Sequence, residues 1–193
     1  MEALKLKTID DLYDAMLDDE RVELVNGEIV KRPMARFEHG GVQSGVSDEV
    51  AFYKRKKGPD GWWIATEVSV RYSEHHCPTH DLAGWRKSSL PEPPTGVMSV
   101  RPDWVCEITS PGHEKKDLVT QLLKLETWEV PYYWIISPED RMSIVYEYEA
   151  VKGHYRVVFS KEYAAETDLG LTAISPFEER GIDLAYIFGI EAE

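Results

Sequence analysis

Cysteine, long apolar runs and basic charge are all in short supply in this chain. Among its 193 residues only Cys77 and Cys106 are cysteines, too few for a disulfide framework, so both are expected to be reduced. No stretch approaches the roughly 20 apolar residues that a membrane helix needs. Met1 to Lys7 holds no signal-peptide core, and the cytoplasm is the expected location. Repeats, linkers and low-complexity segments are lacking too, which makes one domain over 1–193 the expectation. Lysine and arginine number 22 against 35 aspartates and glutamates, a formal net charge of −13. That balance counts against a passive coat for nucleic acid, because phosphate binding is driven by Lys and Arg. It leaves room for an enzyme whose acidic site has a local basic rim. Lys54-Arg55-Lys56-Lys57, Arg86-Lys87 and Lys115-Lys116 are local basic runs, and solvated surface is the ordinary reading of each.

What the chain does have is an organised stretch from Arg101 to Pro138. Trp104-Val105-Cys106 is a short apolar run that ends in Glu107. Ser110-Pro111-Gly112 breaks the strand pattern. Leu118, Leu122, Leu125 and Trp128–Val130 then recur at helical spacing, Pro131 stops the helix, and Tyr132 to Ile136 form a second apolar run. This spells strand, loop, helix, strand, a crossover between parallel or neighbouring strands. An open α/β sheet places ligands at the carboxyl ends of its strands, where Glu107 falls. A lone Glu at a strand end more often simply reaches solvent.

Elsewhere, Thr8 caps a helix through Ile9, Leu12, Tyr13, Met16 and Leu17, with acids in its first turn. Asn26-Gly27, set between alternating apolar residues, marks a β-hairpin that carries Glu23 and Glu28. Val42, Val46, Val50 and Tyr53 predict a helix over about 39–57. Gly40, Gly41 and Gly45 either weaken it or permit close approach of a neighbour. Gly58 to Gly61 is a turn, and Trp62 to Tyr72 a strand pair or one long bent strand. His75 to Asp81 reads as an irregular polar link, Leu82 to Trp85 as a short strand or its end, and Leu90 to Val100 as a loop. Ser143–Tyr148 and Tyr155–Phe159 form an antiparallel pair, and Ile182 to Phe188 a closing strand and short helix. The fold class is α/β.

Asp81 and Glu107 each stand at the edge of an apolar run. If their strands pair, the two carboxylates can converge on one divalent cation. Mg²⁺ takes oxygen ligands, usually one or two carboxylates with water and phosphate, and a metal so held activates water for phosphodiester cleavage. The spacing alone is weak evidence, since many proteins carry an Asp and a Glu about 25 residues apart.

A more specific signal comes from the flanking residues. His80-Asp81-Leu82-Ala83-Gly84-Trp85-Arg86, then Pro102 to Pro111, then Asp117 and Val130-Pro131-Tyr132-Tyr133-Trp134 resemble, in order, the Uma-two family of restriction-endonuclease-like proteins (domain of unknown function 820). The Val22 to Glu28 hairpin followed by Glu38-His39 is similar to that family's amino-terminal half, so the likeness runs from about Glu20 to Phe188. The resemblance implies the PD-(D/E)xK nuclease fold, a mixed β-sheet flanked by helices and here preceded by a helix and hairpin. It implies a Mg²⁺- or Mn²⁺-dependent endonuclease acting on DNA. Asp81 and Glu107, with the Ile108 carbonyl, would hold the metal, Glu23 would be an accessory acid, and His39 would lie nearby.

The chain departs from the family pattern in three places. The superfamily Lys two residues after the Glu is here Thr109. The family's alternative Lys, four residues after the acid matching Asp117, is here Gln121, with Lys124 one turn further along the same helical face. A Lys orients the attacking water and offsets the transition-state charge, whereas Gln donates hydrogen bonds without charge. Either Lys124 and Gln121 position the nucleophile between them, or the protein is a catalytically impaired nuclease fold that serves as a binding or assembly module. The Pro usual before the first acid is displaced, the order being Pro78-Thr79-His80-Asp81.

Other features read more plainly. His75, His76, Cys77 and His80 form a polar loop near the site, their spacing matching no closed zinc site. Cys106 is buried packing, Ser110 has no adjacent base, and the six tryptophans are core and rim. Double-strand cleavage needs two sites, and Trp62, Trp63, Tyr132 and Tyr133 are more large rings than one small core obviously needs, so a homodimer is expected.

Overall fold

The computed structural model describes residues 5–110, 114–163 and 170–190, with backbone alone for 114–118. Pro111 and Gly112, and the side chains of Lys115, Lys116 and Asp117, lie outside the described residues.

Helix α1 (Ile9–Met16) starts at a reciprocal cap: the Asp11 N–H donates to the Thr8 hydroxyl, and the Thr8 N–H donates to the Asp11 carboxylate at 2.8 Å. Strands β1 (Val22–Val25) and β2 (Glu28–Lys31) form the hairpin. Its turn needs two positive φ values, supplied by Asn26 (54°) and Gly27 (77°). Helix α2 runs Phe37–Glu49 and α3 Ala51–Arg55, so the single expected helix starts earlier and breaks at Val50.

Six strands then pair in chain order: β3 (Trp62–Ser69), β4 (Thr79–Arg86), β5 (Trp104–Ile108), β6 (Tyr132–Ser137), β7 (Met142–Glu149) and β8 (His154–Glu162). The β5–β6 pair is parallel and joined by α4 (Glu114–Thr127); the other neighbours are antiparallel. The chain closes with β9 (Leu171–Thr172), β10 (Ile182–Asp183) and α5 (Leu184–Ile187). No helix among the described residues is long and apolar enough to cross a membrane.

The sheet separates two apolar layers. On one face Trp62, Trp104 and Trp134 surround Phe177, at ring centroid distances of 5.1, 5.0 and 5.6 Å, against α2, α3 and α5. On the other, Trp85, Val105, Tyr133 and Ile135 pack with Val70, Met98 and Leu125 of α4. Trp62 and Tyr133, offered above as interface rings, are therefore core. β4 begins two residues before Asp81, which corrects the reading of His75 to Asp81 as a link. His80 and Asp81 are strand residues, and their polarity hides the strand because it is satisfied by partners from distant elements.

Candidate active site

The ladder between β4 and β5 stops at Leu82 opposite Cys106. Beyond it Asp81 fills the gap, its Oδ2 accepting from the Ile108 backbone N–H at 2.8 Å. On the other side of β4, Glu67 adopts φ +51°; the register holds from Thr66↔Leu82 to Val68↔His80, with Glu67 and Asp81 left unpaired between them. Asp81 is a buried carboxylate.

Helix α2 brings two groups to Asp81, one turn apart. His39 Nε2 lies 3.2 Å from Oδ2. That hydrogen bond raises the imidazole's pKa, outweighing burial. The other ring nitrogen, Nδ1, is buried without a hydrogen-bond partner. Gln43 donates to the Asp81 carbonyl at 2.9 Å and to Glu67 at 2.7 Å. Arg32, just past β2, pairs with Glu67 and stands 3.8 Å from Asp81 Oδ1.

Glu107, on β5, meets His80 Nδ1 at 2.5 Å and Gln121 Nε2 of α4 at 3.5 Å, both through Oε1. Burial pushes the Glu107 carboxyl well above the usual carboxylate range, and the charges of Asp81 and then Glu23 push it further. Glu23, on the hairpin, accepts from the Thr79 N–H at 3.0 Å, and the backbones of Leu24 and Cys77 bond each other. The hairpin is thus fastened to the start of β4.

Lys124 of α4 reaches across to the hairpin turn, donating to Asn26 Oδ1 at 2.7 Å and to His76 Nδ1 at 3.4 Å. Burial lowers its pKa, with Glu23 opposing. His76 is lowered to about 4 by burial and then by the Lys124 charge, so it stays neutral and able to accept.

A cleft of about 550 Å³ joins these groups. Its walls include the acids Glu23, Glu67, Asp81 and Glu107, the cations Arg21, Arg32 and Lys124, and also His39, Ile108 and Gln121. Every site residue expected from the sequence therefore borders one space. Thr109 borders it as well, so no cation occupies the usual Lys position. Arg32, Gln43, Glu67 and Tyr72 were not anticipated, and nothing in their local sequence marks them. His80 is not part of the expected polar loop. It is a fully buried strand residue touching Glu107.

The donor set suits a hard divalent cation. The acids line one cleft, and the Asp81 and Glu23 charges raise the pKa of the buried Glu107, a repulsion that a bound dication would relieve. Among the described residues no three His, Cys, Asp or Glu side chains are grouped so that they could hold a metal ion. Two carboxylates with water completing the shell is a usual way to hold Mg²⁺.

The sheet, crossover and parted strands define a restriction-endonuclease-like α/β protein. The model of the Uma2 family, described as "Putative restriction endonuclease", matches residues 9–175, and the chain belongs to that family. Among solved structures it is similar to the crystal structure of "a putative nuclease belonging to DUF820" from Anabaena variabilis ATCC 29413. The TM-score is 0.72 at 18% identity, over 94% of this chain and 97% of that one. No curated protein matches the chain.

Proposed function

We propose that the protein is a divalent-metal-dependent endonuclease that hydrolyses phosphodiester bonds in DNA. The observation that carries this reading is that Asp81 and Glu107, at the parted ends of β4 and β5, line one cleft together with Lys124. Asp81 and Glu107, with the Ile108 carbonyl, would hold Mg²⁺ or Mn²⁺. When bound, such an ion lowers the pKa of its water and neutralises charge developing on the phosphate. Glu23 would hold a metal-bound or attacking water. The Ile108 N–H and His39 fix Asp81, whose orientation then does not depend on the ligand. Lys124 supplies the positive charge that Thr109 and Gln121 lack, and Gln121 donates a hydrogen bond beside Glu107. Arg21 and Arg32 give the cleft a local basic rim despite the acidic whole.

Cleaving both strands takes two such sites, so for duplex DNA the proposal includes a homodimer. Incubation with supercoiled plasmid and Mn²⁺ tests the proposal. The unmodified protein is expected to nick or linearise it and Asp81→Ala to leave it intact. Equal cleavage by both would mark a contaminant, and no cleavage by either would favour the alternative, a nuclease fold kept as a binding or assembly module. The placement of uncharged Gln121 against Glu107 is the observation on that side.

A further inference from the structure

A file of three polar side chains runs into the cleft from the interior. His80 is 0% exposed. Its Nε2 lies 2.9 Å from the Tyr72 hydroxyl and its Nδ1 2.5 Å from Glu107 Oε1. Tyr72 is itself fixed. Its ring stacks on Trp128 at 5.5 Å and 29°, and its backbone N–H donates to the His76 carbonyl at 3.0 Å.

The hydrogen-bond roles follow from chemistry. A carboxylate that binds a cation is deprotonated and can only accept. Nδ1 of His80 must then be the donor. A buried neutral imidazole carries one N–H, which leaves Nε2 bare. The group facing Nε2 is the Tyr72 hydroxyl, whose proton burial retains, and it donates. The direction of the whole chain is set: Tyr72 O–H to Nε2, Nδ1–H to Glu107.

We infer that His80 is a positioning residue for the Glu107 carboxylate, holding Oε1, with Tyr72 selecting the ring tautomer that lets it do so. The inference rests on the reading of Glu107 as a metal ligand. His80 and Gln121 both meet Oε1, so neither occupies Oε2. Carboxylate ligands are commonly held by hydrogen bonds from behind; here the holder is a histidine locked inside the sheet. Where the family pattern has proline before the first acid, this chain has a side chain that reaches the second.

Calorimetric titration with Mn²⁺ alone, without DNA, tests this in the full chain. His80→Leu is expected to weaken Mn²⁺ binding by about ten- to a hundredfold. His80→Asn puts an amide donor near the place of Nδ1 and is expected to recover most of the loss. Tyr72→Phe keeps the stack on Trp128 and should lose part of the affinity. In the Mg²⁺-loaded unmodified protein, long-range ¹H–¹⁵N spectra should show the Nδ1–H tautomer for the His80 ring. Melting curves without metal separate unfolding from loss of binding. Unchanged affinity in a folded His80→Leu, or an Nε2–H tautomer, overturns the inference while leaving the nuclease reading intact. Failure of the unmodified protein to bind Mn²⁺ overturns both.

Discussion

Two glycines one turn apart on α2 should respond to the same substitution with opposite signs. A Cβ built at Gly45 falls 3.0 Å from Ile187 Cα and 3.4 Å from its carbonyl oxygen, whereas one at Gly41 meets nothing within 4 Å. The obstacle at Gly45 is backbone of α5, which cannot rotate aside. Overpacking of this kind costs about 1–3 kcal/mol. Both alanines gain about 1 kcal/mol of helix propensity over glycine. Gly41→Ala should therefore stabilise by up to about 1 kcal/mol. Gly45→Ala should come out neutral to about 2 kcal/mol destabilised, and the difference between the two isolates the steric cost of about 1–3 kcal/mol. In a domain of this size each kcal/mol moves Tm by about 2–4 °C. Thermal and urea unfolding of both variants, metal-free, give the numbers. Because α2 carries His39 and Gln43 to Asp81, Gly45→Ala should also reduce cleavage and Gly41→Ala should not. Equal stabilisation by both alanines would refute the close α2–α5 contact.

Lys124→Met should lower kcat on plasmid by about 10²–10³ with Mn²⁺ affinity little changed, whereas Gln121→Lys should raise kcat. Loss of neither activity nor rate in the first would remove Lys124 from the mechanism. Stability should fall on acidification. His76 protonates at about 4 when folded against 6.5 ordinarily, so its contribution is complete above pH 6.5 and is lost as pH falls through about 4. Discounted for partial solvent screening, the loss is on the order of 1–2 kcal/mol. A flat urea midpoint between pH 7 and 4 in a Glu107→Gln background, which lacks the opposing Glu107 slope, would contradict this. Glu107 works the other way: its raised pKa means the metal-free fold loses stability as pH rises above the ordinary carboxyl value of 4.5. Glu107→Gln should remove that slope, and saturating Mn²⁺ at a hundred times Kd should add about 2.7 kcal/mol to the unmodified protein. Light scattering at micromolar concentration should report a dimer; a monomer with DNA and metal present would limit the activity to nicking single strands.

Elements whose signals are local were legible in the sequence. The Thr8 cap and the Asn26-Gly27 turn each depend on residues within three or four positions of one another. The β5–α4–β6 crossover was legible too, because its apolar runs are buried on both faces and bounded by Pro131 and the Ser110 loop. The start of β4 was not. Thr79, His80 and Asp81 read as loop because they are polar, yet all three are held by groups from elsewhere: Glu23 on the Thr79 N–H, Glu107 and Tyr72 on His80, Ile108 and His39 on Asp81. A strand that buries satisfied polar groups gives no alternation to read. Trp62, expected as a surplus ring, is core for a related reason. Ring count says nothing about packing geometry, and Phe177, from beyond the sheet, inserts among three tryptophans to fill one layer.

The helical spacing of Gln121 and Lys124 placed both on the cleft side of α4, and both border it. Three residues of helix nevertheless separate their contacts. Gln121 reaches Glu107, while Lys124 is tethered to Asn26 and His76 at the hairpin turn. In the proposed mechanism the work of one family lysine is divided between an uncharged donor at the carboxylate and a charge held on the hairpin. On that proposal the hairpin is part of the site rather than an appendage. Protonating His76 would put a second positive charge 3.4 Å from the Lys124 ammonium and end its acceptance of that hydrogen bond. Cleavage should therefore decline on acidification in step with His76, and His76→Asn should shift the acidic limb of the rate profile. An acidic limb unmoved by that substitution would separate Lys124 from the hairpin's control.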